Sequence, residues 1–208
     1  MENKISNPIK ALLFDLGGVV IDIDFNKVFT RWAEYSNRSL KEIRSKFSFD
    51  CFYKAHERGE IDSSEYFNSL RKTLDIDISD LQFEEGWNSI YNGEIPGAAG
   101  LLEYAKEKIP IYGFTNSNHL HKKVWSRKYS KILSLFREVF VSSDIGKRKP
   151  EPDAFQMVAR AMGVDLTRIV FFDDSIENIA GAQKIGMKTV HVKSVSDIET
   201  GLKMYLDK

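Results

Sequence analysis

The chain has 208 residues, and its 30 lysines and arginines balance 30 aspartates and glutamates, so the formal net charge is zero and nothing indicates a nucleic-acid partner. Its single cysteine, Cys51, excludes an intrachain disulfide and favours a reducing compartment. No apolar stretch reaches the roughly 20 residues that a membrane helix needs, so we expect a cytoplasmic protein without a membrane partner.

The first apolar run, residues 11–14, ends at Asp15, which Leu16, Gly17 and Gly18 follow. A carboxylate packs poorly at the end of a buried strand. Open α/β sheets, however, place their ligands at the carboxyl ends of strands. Asp15 is therefore a candidate nucleophile.

Residues 22–95 carry the patterns of about four helices and little strand signal. Ser39, Asp62 and Ser79 are each followed three residues later by Glu or Gln, which predicts three helix starts. The apolar face of the fourth helix is predicted to run on through Ile90 and Tyr91. Such an insertion directly after the first strand can close over a substrate and exclude water. The alternative is a helical subdomain that only adds stability.

After this insertion, strands and helices alternate. Apolar runs predict strands at 109–114, 139–142, 169–172 and 189–192. Helices are predicted to begin near Pro96, Pro152 and Ile176, and glycines end the last two. This alternation predicts a parallel sheet covered on both faces. The expected fold is α/β: a Rossmann-like three-layer core formed by residues 1–21 and 96–208, with an inserted α-helical cap at 22–95.

Three later polar segments also follow, or lie near, apolar runs. They are Thr115-Asn116, Lys149-Pro150 and Asp173-Asp174. Each has an ordinary structural interpretation when taken alone: a loop, a solvated lysine and a helix cap. Only their joint occurrence with Asp15 indicates a common active site.

These segments, with residues 14–19, resemble the four ordered motifs of the haloacid dehalogenase-like hydrolase superfamily. The helical insertion resembles the C1 cap of its subfamily IA, variant 3. Residues 14–25 and 56–61 are similar to the branch of bacterial α-D-glucose-1-phosphate phosphatases. The resemblance implies a Mg²⁺-dependent phosphomonoester hydrolase that acts through an aspartyl-phosphate. Its substrate would be a small phosphorylated metabolite, with a sugar phosphate preferred.

The residue types suit this chemistry, because a carboxylate that attacks a phosphate dianion needs positive charge nearby. Magnesium prefers about six oxygen ligands, which Asp15 and Asp174 can supply in part. The resemblance adds the Gly17 carbonyl, and Asp173 is a second ligand or an outer partner. Lys149 offsets developing negative charge. The predicted phosphate-binding groups are Leu16, Thr115, Asn116 and Lys149.

Gly17 departs from the superfamily pattern, because most of its phosphatases have a second Asp there as general acid and base. General acid catalysis raises the reaction rate roughly 10²–10⁴-fold. Either another group donates the proton to the leaving oxygen, or the substrate needs proton donation less. Histidines are alternative donors, and His121 is our first choice beside His119 and His56. Asp22 and Asp24 are further candidates.

Two reactions would tolerate the loss of that Asp. An anomeric 1-phosphate releases a better leaving group and needs less proton donation. Halide displacement is the second, since 2-haloacid dehalogenases of the superfamily also lack the Asp and use no metal.

In the predicted cap, His56, Glu57 and Arg58 are expected to lie with Gly59 in a loop between helices and to contribute to substrate specificity. Two non-enzymatic interpretations are a phospho-Asp signalling domain and a catalytically inactive scaffold. The sequence indicates neither the individual substrate nor an oligomeric state.

Overall fold

The structure is a computed structural model that describes residues 8–207. The strands are β1 (Ala11–Phe14), β2 (Ile21–Ile23), β3 (Tyr91–Glu94), β4 (Ile111–Thr115), β5 (Val139–Val141), β6 (Ile169–Asp173) and β7 (Lys188–His191). Five of them form one parallel sheet in the order β5-β4-β1-β6-β7. The other two, β2 and β3, pair antiparallel in a small second sheet.

Helices occupy most of the remaining chain. They are α1 (Phe25–Ser36), α2 (Leu40–Lys46), α3 (Cys51–Glu57), α4 (Ser63–Leu74), α5 (Asp80–Asn88), α6 (Ala98–Lys108), α7 (His119–Lys128), α8 (Ser130–Leu133), α9 (Ser142–Ile145), α10 (Pro152–Met162), α11 (Ile176–Lys184) and α12 (Val195–Leu206). One turn of 3₁₀ helix, Leu166–Arg168, precedes β6.

Both faces of the parallel sheet are buried, because successive side chains of a strand point to opposite faces. Leu12 and Phe14 of β1 pack with residues of α6, α7 and α12. Ala11 and Leu13 pack on the other face with residues of α10 and α11. The predicted three-layer α/β core is therefore confirmed.

Helices α1 to α5 form a helical cap with an apolar core of its own. Its centre is an aromatic stack in which the rings of Trp32 and Trp87 lie 5.4 Å apart. Trp32 Nε1 donates to the carbonyl of Phe83 at 3.2 Å. Leu120 of α7 joins the same cluster, so the cap packs directly on the α/β core. The division of the chain at residues 22 and 95 stays a prediction, and β2 and β3 lie beside those two points.

Several predicted boundaries shift for clear physical reasons. The strand expected from residue 109 begins at Ile111, because Ile109 caps α6 and Pro110 has no N–H to donate. The fourth predicted cap helix ends at Asn88, and Tyr91 instead begins β3.

The three predicted helix starts in the cap are confirmed, since Ser39, Asp62 and Ser79 each accept a backbone N–H from three residues on. One cap helix, α3, was not predicted. It begins after Asp50, whose Oδ1 accepts the N–H of Tyr53 at 2.8 Å.

Among residues 8–207, no helix combines the length and apolar character that crossing a membrane requires.

Candidate active site

The sheet order alone brings three polar side chains to one edge. Strand β1 lies between β4 and β6, and all three run parallel. Their carboxyl ends carry Asp15, Thr115 and Asp173 respectively. The N–H of Asp15 donates to the carbonyl of Phe172 at 2.8 Å, which continues the β1–β6 ladder to the candidate nucleophile.

Lys149 carries the central positive charge of this edge, and its side chain is only 1% exposed. Its Nζ lies 2.8 Å from both Asp15 Oδ1 and Asp173 Oδ2, and it donates to the carbonyl of Phe114 at 2.7 Å. The rings of Phe114 and Phe171 lie 5.3 Å from the same nitrogen. A buried ammonium between three oxygens and two ring faces has a fixed position. Lys149 is therefore not the solvated surface lysine of the alternative interpretation.

Asn116 holds the backbone of Lys149 in place. Its Nδ2 donates to the carbonyl of Lys149 and its Oδ1 accepts the N–H of the same residue, both at 2.9 Å. Both polar ends of the amide are therefore engaged. The side chain therefore positions Lys149, and the phosphate contact expected of Asn116 stays a prediction.

A glycine of α11 supports the same loop from the other side. A Cβ added to Gly181 would lie 2.6 Å from the carbonyl oxygen of Pro150. This distance is shorter than any ordinary contact, so only glycine lets α11 approach the loop that carries Lys149.

Asp173 is fully buried and accepts hydrogen bonds at both oxygens. Oδ1 accepts from the N–H of Ser175 at 2.8 Å and from Asn178 Nδ2 at 3.0 Å, while Oδ2 contacts Lys149. This favours an outer role for Asp173, in which it orients the lysine. Asn178 was not predicted; its place in the first turn of α11, five residues after Asp173, is the only signal for it.

Asp174 completes an acidic cluster. Carboxylate oxygens of Asp15, Asp173 and Asp174 lie within 4.8 Å of one another, and Asp174 is the exposed member. Gly18 has a φ of +75°, and a Cβ there would lie 2.3 Å from Asp174 Oδ2. The Asp174 carboxylate therefore occupies space that only a glycine at position 18 leaves free.

The charge of this cluster is unbalanced. Burial raises the pKa of Asp15 to about 7; Lys149 opposes this rise, and the charges of Asp173 and Asp174 add to it. Burial, followed by the charge of Asp173, also raises the pKa of Asp174. Three carboxylates thus face a single ammonium. A divalent cation bound by oxygen ligands would correct that imbalance, so the residues present fit Mg²⁺.

A cavity of about 90 Å³ adjoins this edge and lies between the core and the cap. Its core side includes Leu16, Gly17 and Thr115, and its cap side includes Tyr53 and Glu57. Aromatic and aliphatic side chains fill much of the remaining wall. The cavity offers a small, mostly apolar site for the part of a ligand beyond the reacting group.

Of the three cap residues predicted to set specificity, Glu57 alone lines this cavity among the described residues. His56 stacks on Tyr66 with ring centroids 4.6 Å apart, and burial lowers its pKa to about 4. Arg58 pairs with Glu60 and with Glu151 of the core. His56 and Glu57 lie in the last turn of α3 rather than in the loop we expected.

His121 lines the cavity but is held as a structural residue. Its Nε2 lies 3.1 Å from the carbonyl oxygen of Trp87, so this nitrogen must carry the proton and donate. Its ring stacks on that of Trp87 at 4.9 Å, and burial lowers its pKa to about 3. A neutral, engaged imidazole is a poor acid at neutral pH, which argues against the proton transfer we predicted for His121.

Most of this chain matches a known family. Residues 9–186 match the family described as haloacid dehalogenase-like hydrolase. Phosphatase MT3486 of Mycobacterium tuberculosis is 26% identical over 93% of this chain and 92% of its own. D-ribitol-5-phosphate phosphatase of Bacteroides thetaiotaomicron is 19% identical, over 96% of this chain and 99% of its own.

A solved structure extends this likeness to three dimensions. The enzyme bt-2542 of Bacteroides thetaiotaomicron, in complex with magnesium and inorganic phosphate, is 30% identical in sequence. It superposes with a TM-score of 0.77 over 89% of this chain and 95% of its own.

Proposed function

Because the chain belongs to the haloacid dehalogenase-like hydrolase family, we propose that it is a Mg²⁺-dependent phosphomonoester hydrolase that acts through an aspartyl-phosphate on Asp15. The observation that carries this proposal is the convergence of Asp15, Lys149, Asp173 and Asp174 at one edge of the sheet. The phosphatase relatives and the magnesium and phosphate complex of bt-2542 support it.

The ion would be held by Asp15 and Asp174, with the Gly17 carbonyl as a further oxygen and Asp173 as an outer partner. When bound, Mg²⁺ supplies positive charge that offsets the repulsion between a carboxylate and a phosphate dianion. The space that Gly18 leaves for Asp174 supports this assignment, because it gives the exposed carboxylate a defined place beside Asp15.

Asp15 attacks phosphorus. Lys149 holds Oδ1 at 2.8 Å, which leaves Oδ2 as the attacking oxygen. A bond forms between Oδ2 and phosphorus while the bond from phosphorus to the leaving oxygen breaks. Water then attacks the phosphorus of the acyl phosphate and releases inorganic phosphate with the free Asp15 carboxylate.

Neutral and positive groups hold the transferred phosphoryl group. The Thr115 hydroxyl and the Leu16 N–H bind its oxygens without changing the charge balance, and the Lys149 ammonium stabilises charge that develops on them. Asn116 acts through Lys149, since both ends of its amide are engaged by the lysine backbone.

The helical cap at 22–95 covers the core formed by 1–21 and 96–208 and sets the substrate range. The cavity of about 90 Å³ is smaller than the ~150 Å³ cavity that holds benzene in a protein core, which favours a small leaving group. A small sugar or polyol phosphate is the preferred class, because Glu57 and Asn118 can bind hydroxyls while Tyr91 and Trp125 pack on carbon. The exposed Cys51 thiol supports a cytoplasmic location.

Halide displacement from a 2-haloacid is the weaker alternative. That reaction needs no metal, and it would leave the clustered carboxylates of Asp15, Asp173 and Asp174 opposite one ammonium. The acidic cluster therefore favours phosphate hydrolysis.

Hydrolysis of p-nitrophenyl phosphate and of a panel of sugar and polyol phosphates tests the proposal. We expect activity with Mg²⁺, loss of activity with a chelator and recovery on adding Mg²⁺ back. Asp15→Asn should be inactive under all conditions. Chelator-resistant activity, or activity in Asp15→Asn, would refute the proposed mechanism.

A further inference from the structure

Gly17 leaves the core without a proton donor where the resemblance places one, so the donor must reach the leaving oxygen from another part of the cavity wall. Among residues 8–207, the titratable side chains that line this cavity are Tyr53, Glu57, Tyr91 and His121. His121 is neutral and donates to a backbone carbonyl. Burial raises the pKa of Tyr53 and of Tyr91 far above 10, so neither is an effective acid. Of the four, only the Glu57 carboxyl is left as a donor.

Contacts between the end of α3 and the core hold Glu57 at the cavity. Ser142 Oγ donates to the backbone carbonyl of Glu57 at 2.6 Å and accepts the N–H of Ser117 at 2.8 Å. Two residues later, a Cβ on Gly59 would lie 2.7 Å from the carbonyl oxygen of Ser143. The end of α3 is therefore in close contact with the core beside the segment that follows Thr115.

The carboxyl of Glu57 is buried, with 5% of the residue exposed, and it is held by Arg148. Arg148 Nε donates to Oε2 at 2.8 Å, and Arg148 directly precedes Lys149. One oxygen is thus fixed by a cation that can stabilise the carboxylate after it has lost a proton. The same loop therefore holds this carboxyl through Arg148 and carries the Lys149 ammonium that contacts Asp15.

We propose that Glu57 is the proton donor to the leaving oxygen and takes over the role that Gly17 cannot perform. This inference rests on the proposed phosphatase function. It differs from the specificity role expected from the sequence, because it assigns the Glu57 carboxyl to the reaction itself.

The proton balance closes over one turnover. As the bond from phosphorus to the leaving oxygen breaks, that oxygen takes the proton of the Glu57 carboxyl and leaves as an alcohol. The Glu57 carboxylate, paired with Arg148, then accepts a proton from the water that attacks the aspartyl-phosphate. Asp15 returns to a free carboxylate, inorganic phosphate is released, and Glu57 is protonated again.

The surroundings of Glu57 agree with a carboxyl that exchanges a proton. Burial raises its pKa, while Arg148, the nearby Tyr53 hydroxyl and the charge of Lys149 oppose that rise. Tyr66 of α4 is the further titratable group that faces it. Opposing influences of this kind keep both protonation states accessible.

The test compares two leaving groups in Glu57→Gln, which keeps the size of the side chain and an acceptor for Arg148. p-Nitrophenolate leaves without a proton, whereas the alkoxide of a polyol phosphate such as glycerol phosphate requires one. We expect kcat on glycerol phosphate to fall about 100-fold and kcat on p-nitrophenyl phosphate to change less than about threefold. Glu60→Gln is the matched control, because Glu60 lies on the exposed cap surface and pairs with Arg58; both activities should be retained.

A rescue variant sharpens the test. A Cβ on Gly17 would meet Ile23 Cδ1, the far end of a flexible side chain, at 3.0 Å, so a small shift of Ile23 makes room for the Cβ of Gly17→Asp. On glycerol phosphate, kcat of the Glu57→Gln, Gly17→Asp double variant should be at least about tenfold higher than that of Glu57→Gln alone, because the core again contains a proton donor.

The outcomes separate this inference from the proposed function. The wild type should hydrolyse both substrates. If Glu57→Gln then lowers kcat equally on both substrates, or lowers it on neither, Glu57 is not the donor. A wild type inactive on both substrates with Mg²⁺ would overturn the proposed function and this inference with it.

If Glu57→Gln fails to fold, aryl phosphates whose leaving groups differ in pKa can be tested on the wild type. Weak dependence of the rate on leaving-group pKa is expected, and steep dependence would overturn the inference.

Discussion

Asn116 and Lys149 are joined by two reciprocal hydrogen bonds of 2.9 Å, in which one amide side chain satisfies both backbone groups of the lysine. This pair links the end of β4 to the loop before α10. The ammonium of the same lysine contacts Asp15 at the end of β1. The position of the catalytic cation therefore depends on an amide that need not touch the substrate.

The first prediction concerns this amide. Asn116→Ala should lower kcat about 10- to 100-fold and destabilise the fold by about 1–3 kcal/mol, because two hydrogen bonds are lost and the lysine is freed. Steady-state kinetics and thermal unfolding measure the two effects. Asn92→Ala removes an exposed amide that bonds Asp22 and serves as the control. Unchanged kcat in Asn116→Ala would show that the pair does not position Lys149.

The second prediction concerns the buried cation. Lys149→Met leaves the carboxylates of Asp15 and Asp173 without their shared partner, and breaking a buried ion pair on one side typically costs about 3–5 kcal/mol. We expect no measurable activity and a much lower melting temperature. Lys147→Met, two residues earlier, removes an exposed lysine paired with Asp153 and should change neither. An active Lys149→Met enzyme would contradict the assigned role.

The third prediction concerns Gly18 and the ion. Gly18→Ala would place a Cβ 2.3 Å from Asp174 Oδ2 and displace that carboxylate. The Mg²⁺ concentration for half-maximal activity should rise about 10- to 100-fold, as expected when a metal ligand is misplaced. Gly146→Ala is the matched control, because Gly146 has a similar φ of +68° with no atom within 4 Å of the added Cβ. Both variants should lose stability from backbone strain, but only Gly18→Ala should change the Mg²⁺ requirement.

The fourth prediction concerns pH. Burial lowers the pKa of His121 from 6.5 to about 3 in the folded protein. Between these two values the imidazole is therefore neutral in the native state and protonated in the unfolded chain. The contribution of the neutral His121 to the free energy of unfolding is complete above pH 6.5 and is lost as the pH falls towards 3. Within that window the slope is at most about 1.4 kcal/mol per pH unit.

The His121→Gln variant tests this, because it retains a donor for the Trp87 carbonyl and does not titrate. The free energy of unfolding, measured by denaturant titration at several pH values, should fall more steeply with acid in the wild type than in the variant. Parallel curves would show that His121 does not contribute to acid unfolding.

Much of the fold follows from local patterns in the sequence. The apolar runs and the helix starts at Ser39, Asp62 and Ser79 are local signals, and the structure bears them out. Strands β2 and β3 escape prediction because they have only three and four residues, too few for their alternation to stand out. Helix α3 is one short segment of seven residues, too short for a clear periodicity.

Site contacts that depend on distant segments are not visible in the sequence. Arg148 stands in a basic cluster typical of a solvated surface, yet its guanidinium bonds Glu57, 91 residues earlier. Likewise, Asn116 carries no sign that its amide serves the backbone of Lys149. Such roles become apparent only when the parallel sheet and the packed cap bring the segments together.

The central claim is that Asp15 carries the phosphoryl group during turnover. Rapid acid quenching of the enzyme during hydrolysis of a radiolabelled phosphate monoester, followed by peptide analysis, measures this directly. Label should appear on the peptide that contains Asp15, chase away with unlabelled substrate and be absent in Asp15→Asn. An active wild type without label on that peptide, or with label on another residue, would contradict the account.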